Sequence, residues 1–341
     1  MASDRSLILS LALMAGPAVL SRAAEPIAPV ERKTKGNIVT EAVPDIPTDI
    51  AERMLQYQNT RAADLKSFSP DGDGLLMTTR FGETAQVHWL KAPGGARRQL
   101  TFFKEPVSDA SLSPKPGARE FVFSMDTGGS ENYQLYLFRL DEAKPRLLTD
   151  GKSRNEGARW SRRGDRLIFN GTARNGKDFD FYTVDPKTGA RALLKEVSGQ
   201  WNALDWSHDD SKVLVRNYVS INESYLHSLD ARTGELTPLF PAQGTAKIGY
   251  GTARWAGPGV VLFTSDETGE FSRLGRLDLS TRKVDWLSTN IPWNIEEVKV
   301  SPDGKRVAFA SNEDGIGRLY LGPPSGPFTV VAGVPMGIVY S

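Results

Sequence analysis

From residue 65 onward, the sequence alternates apolar and polar residues in short runs separated by Gly, Pro and Asp. One complete example passes through Val298 and Val300, reverses at Pro302-Asp303-Gly304 and alternates again through Val307 and Phe309. A period of two is typical of strands with one buried face, and Pro, Asp and Gly each favour a tight turn. The pattern therefore predicts an all-β fold over residues 65–341.

One short element recurs along this region: an apolar or aromatic residue, then Ser or Ala, then a turn and a β-rich run. Its six copies begin at Phe68-Ser69, Leu112-Ser113, Trp160-Ser161, Trp206-Ser207, Trp255-Ala256 and Val300-Ser301. The second residues of successive copies are 44, 48, 46, 49 and 45 positions apart. Because a repeat of this length is typical of a propeller blade, we predict a β-propeller of six visible four-stranded blades. Trp160, Trp206 and Trp255 are expected to pack between blades.

The C-terminal segment 337–341 resembles the first strand of a further blade. A ring interrupted at that point would expose sheet edges, so we expect a truncated seventh blade. A six-bladed ring followed by a short tail is the alternative.

The first 64 residues do not carry the repeat. Arg5, the apolar stretch from Leu7 to Leu20 and the small residues of Ser21-Arg22-Ala23 predict a signal peptide over residues 1–23, with an uncleaved anchor as the alternative. The sequence contains no cysteine, so an exported form would fold without disulfides. We expect a bacterial periplasmic or secreted protein.

Residues 24–46 are rich in Pro, Lys and Glu and show no apolar periodicity, which predicts a linker. Beyond this linker, Ile50, Met54 and Leu55 recur at helical spacing. A helix is therefore predicted within residues 47–64, with its apolar stripe packed against the body of the protein.

Charge and composition exclude several classes of function. Lys and Arg total 42 against 41 Asp and Glu, without a long block of either sign, which argues against nucleic acid and anionic membranes as partners.

His88, His208 and His227 fall in strand-like runs or a turn, so no catalytic residue is assigned. The acidic turns at 71–74 and 312–315 lack a complete calcium-loop pattern, so no metal or other cofactor is predicted.

Four further stretches connect the strand-like runs: Thr79-Arg80-Phe81-Gly82, Arg98 to Phe103, Asp126 to Glu131 and Arg174 to Asp178. Together with the repeated Ser-Pro-Asp-Gly element, they resemble the N-terminal propeller of bacterial serine peptidases of the prolyl oligopeptidase family. The Ser-Pro-Asp-Gly element alone is shared with TolB-like propellers, so the order of the other stretches carries more weight. The resemblance extends over residues 46–341.

In that family, the resemblance implies, the propeller caps an α/β-hydrolase domain and restricts access to short peptides. The catalytic Ser, Asp and His belong to the hydrolase domain, which this sequence does not include. The Gly-x-Ser-x-Gly elbow that such a nucleophile requires does not occur in the chain. We therefore expect the chain to be inactive by itself.

Charged residues in these connecting stretches are the candidates for binding a peptide substrate, because loops on one face of a propeller commonly carry recognition. They are Arg80, Asp126, Glu131, Arg174 and Asp178. The alternative is that these charges pair with each other or cap blade turns.

The leading hypothesis is a non-catalytic propeller portion of an exported serine peptidase, which gates short-peptide access to a hydrolase domain. A stand-alone TolB-like periplasmic propeller that binds an envelope protein is the alternative. A third possibility is a propeller lyase or glycosidase, which would need carboxylates or histidines converging in the central tunnel.

Overall fold

A computed structural model of the chain describes residues 30–240 and 247–339. The predicted signal peptide and residues 340 and 341 lie outside these ranges. The described residues fall into two units, with the division between Thr60 and Arg61.

The first unit contains a hairpin and one helix. Strands β1 (Arg32–Lys35) and β2 (Ile38–Glu41) pair antiparallel, so the segment interpreted as a linker holds regular structure. Helix α1 spans Thr48–Gln58, with Asp49 in its first turn, where a negative charge is favourable. No residue of α1 is buried, so the expected burial of its apolar stripe is not observed.

The second unit is a β-propeller of six blades, each an antiparallel sheet of four strands in chain order. Blades 1 to 3 contain β3 (Asp64–Phe68), β4 (Leu75–Thr79), β5 (Gln86–Leu90) and β6 (Arg97–Gln99); β7 (Asp109–Leu112), β8 (Glu120–Met125), β9 (Gln134–Arg139) and β10 (Pro145–Leu147); and β11 (Asn155–Trp160), β12 (Leu167–Gly171), β13 (Asp180–Val184) and β14 (Arg191–Lys195). Blades 4 to 6 contain β15 (Gln200–Trp206), β16 (Lys212–Ser220), β17 (Glu223–Asp230) and β18 (Leu236–Pro238); β19 (Tyr250–Trp255), β20 (Val260–Ser265), β21 (Arg273–Asp278) and β22 (Val284–Trp286); and β23 (Ile295–Val300), β24 (Val307–Glu313), β25 (Ile316–Gly322) and β26 (Thr329–Val330). The predicted fold class is confirmed.

Apolar clusters join each blade to the next. Five extended clusters connect blades 1–2, 2–3, 3–4, 4–5 and 5–6, and none of these five connects blade 6 to blade 1. Trp160, Trp206 and Trp255 are 9%, 1% and 4% exposed and belong to three of these clusters, as predicted. Because a single sheet cannot bury both of its faces, this stacking of blades supplies the core.

The recurring Ser holds the turn between the first two strands of a blade. In blade 6 the Ser301 hydroxyl donates to the Asp303 carboxylate at 2.6 Å and accepts the Arg306 N–H at 2.9 Å. The Gly304 N–H donates to the Ser301 carbonyl at 2.8 Å, and Gly304 has a φ of +71° that glycine tolerates best. The Ser-x-Asp-Gly order is therefore a turn-forming device.

The end of the described chain lies along blade 6. Residues 337–339 form no strand, so the first strand of a seventh blade is not observed among the residues described there. The Gly337 carbonyl accepts a hydrogen bond from the Gly317 N–H at 2.6 Å, which places the tail beside β25.

Candidate functional site

The five residues predicted to bind substrate all follow the second strand of a blade. Arg80 follows β4, Asp126 and Glu131 follow β8, and Arg174 and Asp178 follow β12. Loops between the second and third strands of successive blades emerge on one face of a propeller. The candidates are thus distributed along blades 1, 2 and 3 of a shared face.

Arg174 and Asp178 are engaged in structural contacts. The Arg174 guanidinium donates to the buried Asp180 carboxylate at 2.8 and 3.0 Å, to Asp178 at 3.3 Å and to the Val197 carbonyl at 2.8 Å. Asp180 thereby raises the pKa of Arg174. The Gly199 N–H, Asn175 and Arg174 lower the pKa of Asp178. Arg174 and Asp178 thus pair with each other, which is the alternative interpretation of these charges, and their contacts hold the loop after β12.

Asp126 and Glu131 act together in the loop after β8. Asp126 is buried, and its carboxylate accepts the Glu131 N–H at 2.9 Å. Glu131 has a φ of +58°, in the left-handed region that is unfavourable for a residue with a side chain. Its exposed carboxylate lies 3.4 Å from the Arg154 guanidinium. Asp126 therefore shapes the loop, whereas Glu131 presents its charge at the surface.

A cleft lies between blades 2 and 3, close to this loop. It has a volume of about 230 Å³ and is lined by residues of β7, β8, β9 and β11 together with Ser108 and Tyr133. Asp109 and Glu156 provide carboxylates, and Asn155 and Ser111 provide neutral polar groups. None of these residues was identified from the sequence, because they occupy ordinary strand positions outside the stretches that resemble the peptidase family.

A second group of polar residues lies two positions before the repeated Ser or Ala of each blade. This channel layer consists of Ser67, Ser111, Arg159, Asp205, Arg254 and Lys299. The first strands of blades 1 and 2, and those of blades 3 to 6, lie side by side, so equivalent positions on them share one level around the axis. The repeat spacing contained this information, since the same offset from the repeated Ser or Ala identifies all six residues.

Two members of the channel layer connect adjacent blades. The Asp205 carboxylate accepts a hydrogen bond from the backbone N–H of Trp255 in the next blade at 2.9 Å. The Ser67 hydroxyl accepts one from the backbone N–H of Leu112 at 3.2 Å. Asp205 also accepts from Arg162 at 2.8 Å. Enclosure raises the pKa of Asp205, and the charges of Arg162 and Arg254 oppose that rise. The channel layer thus helps to fasten the blades to each other.

A bulge precedes the channel layer on five of the first strands. The pairing with the second strand shifts register before Ser67, Arg159, Asp205 and Lys299, and between Tyr250 and Ala253 on β19. Bulges redirect the side chains that follow them and increase local twist. This recurrent bulge was not predicted from the sequence.

The three histidines are not gathered at one place in the fold. His88 is fully buried on β5, where its Nδ1 donates to the Gln86 carbonyl at 2.9 Å, and burial lowers its pKa. Burial also lowers the pKa of His227 on β17, and His208 is exposed in a blade turn. Within residues 30–240 and 247–339, no group of three His, Cys, Asp or Glu is arranged to hold a metal ion.

No protein-family model matches the sequence, and no curated protein matches it. Several solved structures are similar to this chain in fold. A prolyl endopeptidase, from a study of inter-domain dynamics in catalysis and specificity, superposes with a TM-score of 0.69 at 12% identity, covering 85% of this chain and 46% of that chain. TolB from Acinetobacter baumannii superposes with a TM-score of 0.52 at 16% identity, covering 85% of this chain and 70% of that chain.

An oligogalacturonate lyase, solved in complex with manganese, is also similar. Its TM-score is 0.62 at 15% identity, covering 78% of this chain and 76% of that chain. At these identities the likeness concerns the fold alone, which all three proteins share as β-propellers. This chain spans less than half of the length of the prolyl endopeptidase.

In the described residues, no helix is both long enough and apolar enough to cross a membrane.

Proposed function

We propose that this chain is the non-catalytic propeller portion of an exported serine peptidase, which gates the access of short peptides to an α/β-hydrolase domain. The observation that carries the proposal is the superposition of 85% of the chain on under half of a prolyl endopeptidase, with a TM-score of 0.69. The ordered peptidase-like stretches in the sequence support the same choice. Arg80, Asp126 and Glu131 lie on the loop face that would meet peptides.

The proposal predicts that the purified chain hydrolyses nothing by itself. Short peptide and acyl-aminoacyl substrates should show no turnover above buffer, because the chain contains no Gly-x-Ser-x-Gly elbow to present a nucleophile. The matched control is the same preparation treated with a serine-directed inhibitor. Turnover that the inhibitor abolishes would contradict the proposal.

A TolB-like interaction propeller is the second candidate, because this chain covers 70% of the Acinetobacter baumannii TolB chain. That function would require an envelope protein bound on one face of the ring. Capture of such a protein by the purified chain, with an affinity that survives physiological salt, would favour this candidate over the peptidase.

A lyase or glycosidase would need acids or histidines to converge in the channel. The channel layer instead contains three basic residues, Arg159, Arg254 and Lys299, and one acid, Asp205. The acid is already engaged by Arg162 and the Trp255 N–H. Asp109 and Glu297 lie within electrostatic range of Lys299, but basic residues predominate in the channel layer, which gives the third interpretation less support than the other two.

A further inference from the structure

Three basic side chains approach each other across the central channel. Lys299 of blade 6 is within electrostatic range of Arg254 of blade 5, Arg159 of blade 3 and Asp109 of blade 2. Side chains from blades on opposite sides of a ring can meet only across its axis. The cations therefore face a common space, at the level set by their shared position in the repeat.

The two arginines of the cluster donate their described hydrogen bonds to backbone carbonyls. Arg254 donates to the Ala253 carbonyl at 2.9 Å and to the Leu204 carbonyl at 3.5 Å, and Arg159 donates to the Ala158 carbonyl at 3.2 Å. These acceptors are neutral. By contrast, Arg162 forms an ion pair with Asp205 at 2.8 Å.

The acids near the cluster only partly balance it. Glu297 and Asp109 attract Lys299, and Asp205 and Glu297 attract Arg254. Enclosure and the neighbouring Arg254 and Arg159 nevertheless lower the pKa of Lys299. Holding like charges together on rigid strands is unfavourable, and a bound anion would relieve that cost.

We propose that Arg159, Arg254 and Lys299 bind the carboxylate of a short peptide inside the channel. A guanidinium presents paired donors that match a carboxylate, and an ammonium adds a compact charge beside them. Arg159 and Lys299 are exposed, so an anion can reach them. Assigning the anion to a peptide rests on the proposed function, whereas the cation cluster is independent of it.

The test compares two versions of one acetylated tetrapeptide, Ala-Ala-Pro-Ala, with a free carboxylate or a C-terminal amide. Isothermal titration of the purified chain at low salt should show binding of the acid and at least about tenfold weaker binding of the amide, as expected for the loss of a charge-assisted contact. Added NaCl should weaken binding of the acid.

Two variants locate the site. Lys299→Gln and Arg254→Gln should each reduce the affinity for the acid by about tenfold or more. The matched control is Lys144→Gln, which removes the same charge from an exposed loop between β9 and β10 and should leave the affinity unchanged. Lys299 is exposed, so its variant keeps the test valid if Arg254→Gln does not fold.

Several outcomes would overturn the proposal: equal binding of acid and amide, wild-type affinity in Lys299→Gln, or no binding of the acid. Inorganic phosphate provides a separate arm. Competition between phosphate and the acid supports a shared cation site, whereas binding of phosphate without binding of the peptide acid overturns the peptide assignment. Since no step of this test measures hydrolysis, its failure is distinguishable from failure of the peptidase proposal.

Discussion

At the scale of single residues, the polar groups that look most like a site serve different purposes. Arg174 donates hydrogen bonds to Asp180, Asp178 and a backbone carbonyl, so it stabilises the conformation of its own loop. Asp205 similarly joins two blades. The cations Arg159 and Arg254 are different, since only backbone carbonyls accept their described hydrogen bonds.

Replacement of Asp205 by Ala should destabilise the propeller by about 3 kcal/mol, because it leaves Arg162 and the Trp255 N–H without their acceptor. Urea denaturation followed by tryptophan fluorescence measures the change in the free energy of unfolding. Asp205→Asn is the matched control, since its amide oxygen can still accept one of these bonds, and it should lose less. An unchanged free energy of unfolding in Asp205→Ala would show that the carboxylate does not connect the blades.

The decrease in thermal stability at acid pH should depend in part on Asp209. Hydrogen bonds from the Ser207 hydroxyl and from the Ser211 hydroxyl and N–H lower the pKa of Asp209 to about 2 from its ordinary 3.8. Its contribution is therefore complete above about pH 4 and is lost as the pH falls toward 2. The Tm of the wild type should exceed that of Asp209→Asn at pH 6, and this difference should shrink as the pH falls toward 2 and disappear below it. A difference in Tm that is constant between pH 6 and pH 2 would contradict the assignment.

At the scale of elements, much of each blade follows from the sequence. The alternating runs around Val298 and Phe309 and the turn at residues 302–304 correspond to β23, β24 and their connection. The bulges in the first strands could not be predicted, because they depend on how a strand pairs and not on residue type. Gly157 is the partial exception, since an isolated glycine in a strand often marks a bulge.

Gly157→Ala tests the backbone conformation of the β11 bulge. Gly157 has a φ of +65°, and an added Cβ would meet only the Asn170 side-chain oxygen at 3.9 Å. There is room for the methyl group, so the expected loss of about 1 kcal/mol comes from the left-handed backbone. Gly82→Ala is the control, because Gly82 also has space around it without a left-handed φ. Equal free energies of unfolding for the two variants would contradict the bulge geometry.

At the scale of the whole molecule, the repeat spacing was sufficient to predict six blades. The same spacing could have located the channel layer, which was not predicted, but the convergence of Arg159, Arg254 and Lys299 depends on how the blades are arranged around the axis. The resemblance to the peptidase family was less informative about the roles of single residues. It selected Asp126 and Arg174 because they lie in family-like stretches, whereas their hydrogen-bond partners depend on how the chain folds around them. Contacts between distant blades are fixed by packing and leave no signal in local sequence.

The most direct test of the peptidase assignment is to sequence the transcript that encodes this chain beyond the codon for Ser341. We predict an open frame that reaches a Gly-x-Ser-x-Gly element, followed by the Asp and His of an α/β-hydrolase domain. A stop codon directly after Ser341, followed by an unrelated gene, would contradict the assignment and favour the interaction propeller.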